Sequence, residues 1–266
     1  MSPIQICIGS HYFFLIIGYK CLNNRSFYGC IYFTSHLTVF QKSQSHTEPM
    51  NCCGHCQDAG NIFDEKTAKK ELKRYLKKGP NKSTRLLLDE IRRYDLHGGS
   101  LLDIGGGIGT ITFELLDYGI DTIVSVDASP AYMNVLKTEA ERRGVRDRIH
   151  QIFGDITEIP EEINMADIVT LDRVICCYPD MKKLIDRSAV KAERFYGVVY
   201  PRGRWPVRMV MQFGNIWFRL RKTDFRTYFH PPADIDARIR SHGFNMIRLM
   251  RTIVWEAVLY EKAGQL

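Results

Sequence analysis

Apolar positions first recur at helical spacing over 64–78. Ala68, Leu72, Tyr75 and Leu76 follow one another at i, i+4, i+7 and i+8, while Lys69, Lys70, Lys73, Arg74, Lys77 and Lys78 take the other faces. This spacing predicts an amphipathic helix, stopped by Gly79 and Pro80. Ser83 or Thr84 is placed to cap a second helix running to Arg92, with Leu87, Leu88 and Ile91 facing inward. His97, Gly98 and Gly99 then break the chain. Beyond them the period alternates. Short runs at 101–104, 122–126, 149–153, 167–171 and 196–200 read as strands, and 111–118, 131–143, 181–195 and 232–242 read as helices. Two more strands are expected at 245–251 and 254–261. Strands separated by helix-length segments imply right-handed βαβ units. The expected fold is α/β: a doubly wound, Rossmann-like sheet of seven strands, mostly parallel.

Composition narrows the class. The 266 residues are 45% hydrophobic and 25% charged, which fits a globular protein and excludes collagen, coiled coil and wholesale disorder. The formal net charge of +7 is a mild excess. Eight cysteines at irregular spacing, including the adjacent pairs Cys52–Cys53 and Cys176–Cys177, do not form a secreted disulfide framework. A reducing, cytoplasmic setting is expected. Cys52, Cys53, His55 and Cys56 lack a distant cysteine pair of zinc-ribbon type, so no metal centre is expected.

Three regions follow. Residues 1–49 form an N-terminal extension, expected to be disordered or to precede the true start at Met50. Its apolar run at 12–19 is too short for a spanning helix, which needs about 20 apolar residues. Residues 50–98 form an N-terminal helical lid. Residues 99–266 form the ligand-binding domain, with a substrate-side insertion at 201–231.

The most informative stretch is Leu101-Leu-Asp-Ile-Gly-Gly-Gly-Ile-Gly-Thr110, between a strand and a helix. Gly105, Gly107 and Gly109 allow a sharp turn and close approach of a ligand. The third glycine of a dinucleotide fingerprint is missing, because Thr110 or Thr112 takes its place. Asp103 just before the turn would repel a pyrophosphate and suits a cationic ligand. The pattern points to a sulfonium nucleoside. Asp127 ends the second strand, where a carboxylate can accept from ribose hydroxyls. Asp155 ends the third strand, where it can accept from an adenine amine. Asp172 ends the fourth, beside the expected position of the transferred group, or else caps the next helix.

With these residues the chain resembles the class I S-adenosylmethionine-dependent methyltransferases. Asp103, Gly105, Gly107 and Gly109 match their first motif, Asp127 their ribose-binding acid, and Gly154-Asp155-Ile156 their adenine-contacting segment. His242-Gly-Phe244 and the run 255–260 resemble their final strand pair, in which an antiparallel last strand lies between the fifth and sixth. The resemblance implies S-adenosyl-L-methionine as cofactor, held by Asp103, Gly105, Gly107, Gly109, Asp127, Ala128, Asp155, Ile156 and Asp172. A narrower resemblance rests on Asp64-Glu-Lys-Thr-Ala68, Arg74-Tyr75, Lys78-Gly-Pro80, the run 171–180 and His230-Pro-Pro232. It is to small stand-alone methyltransferases grouped with magnesium-protoporphyrin O-methyltransferase.

Methyl transfer from a sulfonium needs alignment more than activation, and a carboxylate acceptor needs no base. For other acceptors Asp172, Tyr178 and His230 are the catalytic candidates. Cys176 and Cys177 precede a proline instead of following one, so packing thiols are expected. Residues 64–85 hold nine basic and three acidic side chains. The insertion 201–231 interleaves arginines with Trp205, Phe213, Trp217 and other aromatics. This composition suits a small or medium apolar anionic acceptor, such as a porphyrin-like or aromatic carboxylate. RNA, protein, or a non-catalytic cofactor-binding role are the alternatives. A small molecule is favoured over nucleic acid, and membrane-surface contact through 207–220 or the N-terminal extension is a further option. The sequence assigns no oligomeric state.

Overall fold

The run Ser100–Ile104 forms strand β1, with four of its five residues buried. In the computed structural model, which describes residues 7–8, 11–12, 64–158, 163–221, 223 and 225–264, it lies at the middle of a seven-stranded sheet. Its parallel neighbours are β2 (Thr122–Asp127) and β4 (Ala166–Asp172). Outside these lie β3 (Ile149–Phe153) and β5 (Ala192–Pro201), both also parallel to their neighbours. β6 (Phe244–Arg251) and β7 (Trp255–Lys262) complete the order β3-β2-β1-β4-β5-β7-β6. β7 runs antiparallel between β5 and β6, as the resemblance implied. The order of connection reverses between β1 and β4, and the carboxyl ends of the strands part there into a crevice.

The helices are α1 (Glu65–Lys78), α2 (Lys82–Ile91), α3 (Thr110–Tyr118), α4 (Pro130–Arg143), α5 (Met181–Ala189), α6 (Trp205–Leu220) and α7 (Pro232–Arg240). Successive strand residues point to opposite faces, and the core divides accordingly. Leu101, Ile168 and Leu259 join Leu87, Phe113 and Leu136 in one cluster. Their neighbours Leu102, Val169 and Val258 join Leu184, Tyr196 and Ile235 in the other. α1 begins where Asp64 accepts the Thr67 N–H at 2.7 Å and ends where Gly79 N–H donates to the Tyr75 carbonyl at 2.7 Å.

Two expectations are corrected. Asn81, in extended backbone, precedes the first turn of α2. Ser83 and Thr84 already lie inside that helix and are buried. The helix expected over 181–195 ends at Ala189. Ala192 pairs with Ala166 and Phe195 with Ile168, so sheet pairing overrides the helical pattern of 190–195. The connection 201–231 contains a full helix, α6, started by Pro206 in its first turn.

The chain divides into two units, Met1–Thr47 and Glu48–Leu266. In the first, Cys7–Ile8 pairs antiparallel with His11–Tyr12. The other expectations for 1–49, and those for Cys52, Cys53 and Cys56, lie outside the described residues.

Candidate active site

The turn between β1 and α3 is built from backbone that only glycine adopts readily. Gly105, Gly107 and Gly109 have φ of +62°, +58° and +82°. A Cβ at Gly105 would lie 2.4 Å from Val174 Cγ2, and one at Gly106 2.6 Å from Ser125 Oγ. The turn is therefore bare backbone packed against its neighbours, with room left on the crevice side. Gly105 N–H donates to the Val126 carbonyl at 2.7 Å, which ties the turn to β2.

Carboxylates surround it. Asp103 is buried beneath the turn, with Oδ1 accepting from Thr170 Oγ1 at 2.8 Å and Oδ2 from Thr112 Oγ1 at 3.0 Å. Burial pushes its pKa up to about 7, against the pull of the two hydroxyls. Asp127 Oδ2 accepts Gly107 N–H at 2.9 Å and its Oδ1 accepts Ser129 N–H at 2.7 Å. Burial raises its pKa, and these backbone donors oppose the rise. Ala128 follows, half-buried. Asp155 Oδ1 accepts Thr157 N–H at 2.9 Å, Oδ2 accepts the Tyr178 hydroxyl at 2.8 Å, and Ile156 is buried beside it.

Asp172 does not cap the next helix. Asp180 does so, accepting Lys183 N–H at 3.0 Å. Instead Asp172 Oδ2 accepts from Thr84 Oγ1 at 2.7 Å, and Oδ1 accepts from Arg173 Nε at 3.3 Å. Arg173 has φ +64°, the one positive φ outside glycine among the described residues. Tyr178 places its hydroxyl on Asp155 and within 2.7 Å of Thr157 Oγ1, toward the end of β3. His230 Nε2 donates to the Tyr178 carbonyl at 2.9 Å, and Tyr228 N–H donates to the Cys176 carbonyl at 2.7 Å. These bonds lace 225–230 along the turn that follows β4. Cys176 is buried, 3.9 Å from the Cys177 sulfur. That contact pushes the Cys176 thiol up and the Cys177 thiol down.

One cleft joins the glycine turn with Asp103 and Asp172. Its walls are Glu71 and Arg74 of α1, Asp103, the turn from Gly105 to Gly107, and Asp172 with Arg173. Asp127, Ala128, Asp155, Ile156, Tyr178 and His230 are not among its lining. A wider cavity near Arg202, Asp236 and Arg251 lies toward the other edge of the sheet and contains none of the glycine turn. Sequence reasoning missed Glu71, Arg74, Thr84 and Arg173. Two signals were available: Glu71 is the one acid of α1 beyond its first residue, and Arg173 directly follows the acid that ends β4.

Residues 102–190 match the family model described as a methyltransferase domain. The ribosomal protein L11 methyltransferase of Alteromonas mediterranea is 30% identical over 122 residues, 44% of this chain and 42% of that protein. The chain thus spans less than half the length of that relative. Magnesium protoporphyrin IX methyltransferase from Synechocystis PCC 6803, solved with bound SAH, superposes with a TM-score of 0.60 at 15% identity, covering 78% of this chain and 99% of that one. An O-methyltransferase family 2 protein from Planctomyces limnophilus in complex with apigenin gives 0.52 at 16% identity, covering 70% and 63%. Sheet order, glycine turn and family match agree: residues 102–190 are a methyltransferase domain, and the fold is that of the class I S-adenosylmethionine-dependent methyltransferases.

Proposed function

We propose that this chain transfers a methyl group from S-adenosylmethionine to an oxygen of a small or medium apolar acceptor bearing anionic groups. The observation that carries this reading is the mixed sign of the cleft. Glu71, Asp103 and Asp172 share it with Arg74 and Arg173 around a turn in which a Cβ at Gly105 or Gly106 would clash. The amino-acid end of the donor is a zwitterion. Carboxylates suit its ammonium, and a guanidinium suits its carboxylate. A diphosphate would meet three carboxylates in the same space. Asp127 accepts the Gly107 and Ser129 N–H groups, with the Ala128 N–H also directed at it, and a carboxylate has about four lone-pair sites. Asp127 therefore retains acceptor capacity for a ribose hydroxyl. Asp155, Ile156 and Ala128 are assigned to the adenosine end.

The bound donor supplies an already activated sulfonium methyl. The task left to the protein is to align the acceptor and keep out water. Asp172 orients Arg173 and is itself held by Thr84 of α2. Tyr178 is a positioning residue, because its hydroxyl is engaged by Asp155 and Thr157. A carboxylate acceptor gives up no proton on attack. For a phenol or alcohol the base we assign is His230, which stands outside the lining of the donor cleft and would have to meet the acceptor there. Its Nε2–H donates to a carbonyl, so in the neutral ring the lone pair sits on Nδ1.

The acceptor class rests on the insertion. There Arg208 lies 4.8 Å from the Phe229 ring centre and Arg221 4.4 Å from that of Trp217, a surface that suits flat or apolar anions. Calorimetry should give binding of S-adenosylmethionine and none of a nicotinamide dinucleotide; the reverse would defeat the cofactor assignment. Incubation with labelled donor and cell extract should place the label in small, solvent-extractable molecules. Label confined to protein or RNA would defeat the acceptor class while leaving methyl transfer standing.

A further inference from the structure

Helix α6 leaves apolar surface uncovered. Of its residues Val207 alone is buried. Trp205, Val210, Phe213, Ile216, Trp217 and Leu220 are each more than half exposed, Trp205 at 74% and Leu220 at 76%. At 3.6 residues per turn these six fall within one arc of about 140°. Arg208 and Arg219 run along one margin, Arg221 follows the last turn, Arg204 precedes the first, and the helix contains no acid. The turn between β6 and β7 extends the patch, with Ile253 83% exposed and Val254 41% exposed. Val254 accepts the Arg202 N–H at 2.8 Å, which sets this turn beside the segment leading into α6.

The outward face is held outward. Asn215, on the opposite side of α6, donates to the Thr227 carbonyl and accepts the Thr227 N–H, each at 2.7 Å. Phe218 packs edge-on against Phe225, centroids 5.3 Å apart. With its inner side fastened, the helix cannot roll its apolar arc into the core.

We infer that α6 and the β6–β7 turn form a docking face for an anionic lipid bilayer, with α6 lying in the plane of the interface. A convex apolar arc with a tryptophan toward each end and cationic margins is the pattern of an interfacial helix. Charge decides among occupants. A second copy docking the same face about a two-fold axis would set these arginines against their own equivalents, whereas anionic headgroups neutralise them. No helix among the described residues is long and apolar enough to cross a membrane, so the contact is peripheral.

The test is flotation of the full chain with phosphatidylcholine vesicles, with and without phosphatidylglycerol. The protein should float with the anionic vesicles, and salt should weaken the binding. Tryptophan emission should shift to the blue, since two of the three tryptophans lie on α6. The double variant Val210→Ser, Phe213→Ser should lose about tenfold or more in partitioning, because binding scales with buried apolar area, with an unchanged melting curve. Should that pair disturb folding, Leu220→Ser with Ile253→Ser reads the same face. Arg208→Gln with Arg219→Gln should erase most of the preference for anionic vesicles. Failure of the parent chain to float overturns the inference. So does undiminished flotation of the apolar variants, which would move the contact elsewhere in the chain. A vesicle-independent dimer that the Val210→Ser, Phe213→Ser variant loses would assign the face to a second copy.

Discussion

The carboxyl edge of the sheet has two regions that treat their side chains in opposite ways. Around the glycine turn, Asp103, Asp127, Asp155 and Asp172 are all bonded to hydroxyls, backbone amides or a guanidinium. Around α6, six large apolar side chains stand in solvent. The first region is organised before any ligand arrives, which limits the ordering cost of binding. The second is complete only against something else, as large exposed apolar patches usually are. Under the proposed function, donor recognition is then part of the folded core, and contact with the surroundings falls to the insertion.

Substitutions can break that contrast. The largest effect is expected from the pH dependence of Asp103. Its pKa rises to about 7 on folding, so the folded state holds this proton more tightly than the unfolded chain. Its contribution to stability is full below about pH 4 and is lost as the pH climbs through 7, on the order of 4 kcal/mol. Asp103→Asn should remove that slope, as urea unfolding across the window would reveal, and should raise stability at neutral pH. Gly105→Ala combines a left-handed alanine with a contact 2.4 Å from Val174, together about 3 kcal/mol of destabilisation. Unchanged denaturation would mean that the turn is soft. Asp127→Ala should weaken S-adenosylhomocysteine binding by about 1–3 kcal/mol, read by calorimetry. Thr84→Val, which deprives Asp172 of one of its two partners, should weaken donor binding by about 1 kcal/mol, again read by calorimetry. At the other pole Phe213→Ser should alter thermal stability by less than about 0.5 kcal/mol; a large loss would show that α6 belongs to the core after all.

The same division explains what could be read from the chain alone. The order of strands, the glycine turn and the acids closing β1 to β4 are local patterns, each complete within a few residues. The partner of Asp172 is not local: Thr84 sits on another helix, and its hydroxyl looked like a cap. Arg74 was legible as part of a basic helix face and of the narrower resemblance, but not as a wall of the cleft, and Glu71 not at all, because which side of α1 borders the crevice depends on how that helix docks. Tyr75 fixes this by donating to Glu114 Oε1 of α3 at 3.1 Å. The end of α5 was misplaced because 190–195 has no local reason to leave the helix; its reason is the neighbouring strand. The run 207–220 was legible as an apolar segment with basic flanks, but which of its faces stays in solvent depends on how α6 is fastened through Asn215 and Phe218.

Arg173 carries an implication for engineering. Its left-handed backbone costs an L-residue roughly 1–2 kcal/mol that glycine would not incur. A search for thermostable variants would therefore arrive quickly at Arg173→Gly, and stability screens alone would score it as an improvement. The selected protein would have lost the cation facing Asp172 and, under the proposed function, its grip on the amino-acid tail of the donor. Position 173 is thus one where robustness and chemistry pull apart, and selection for heat resistance there should be run only alongside a turnover screen.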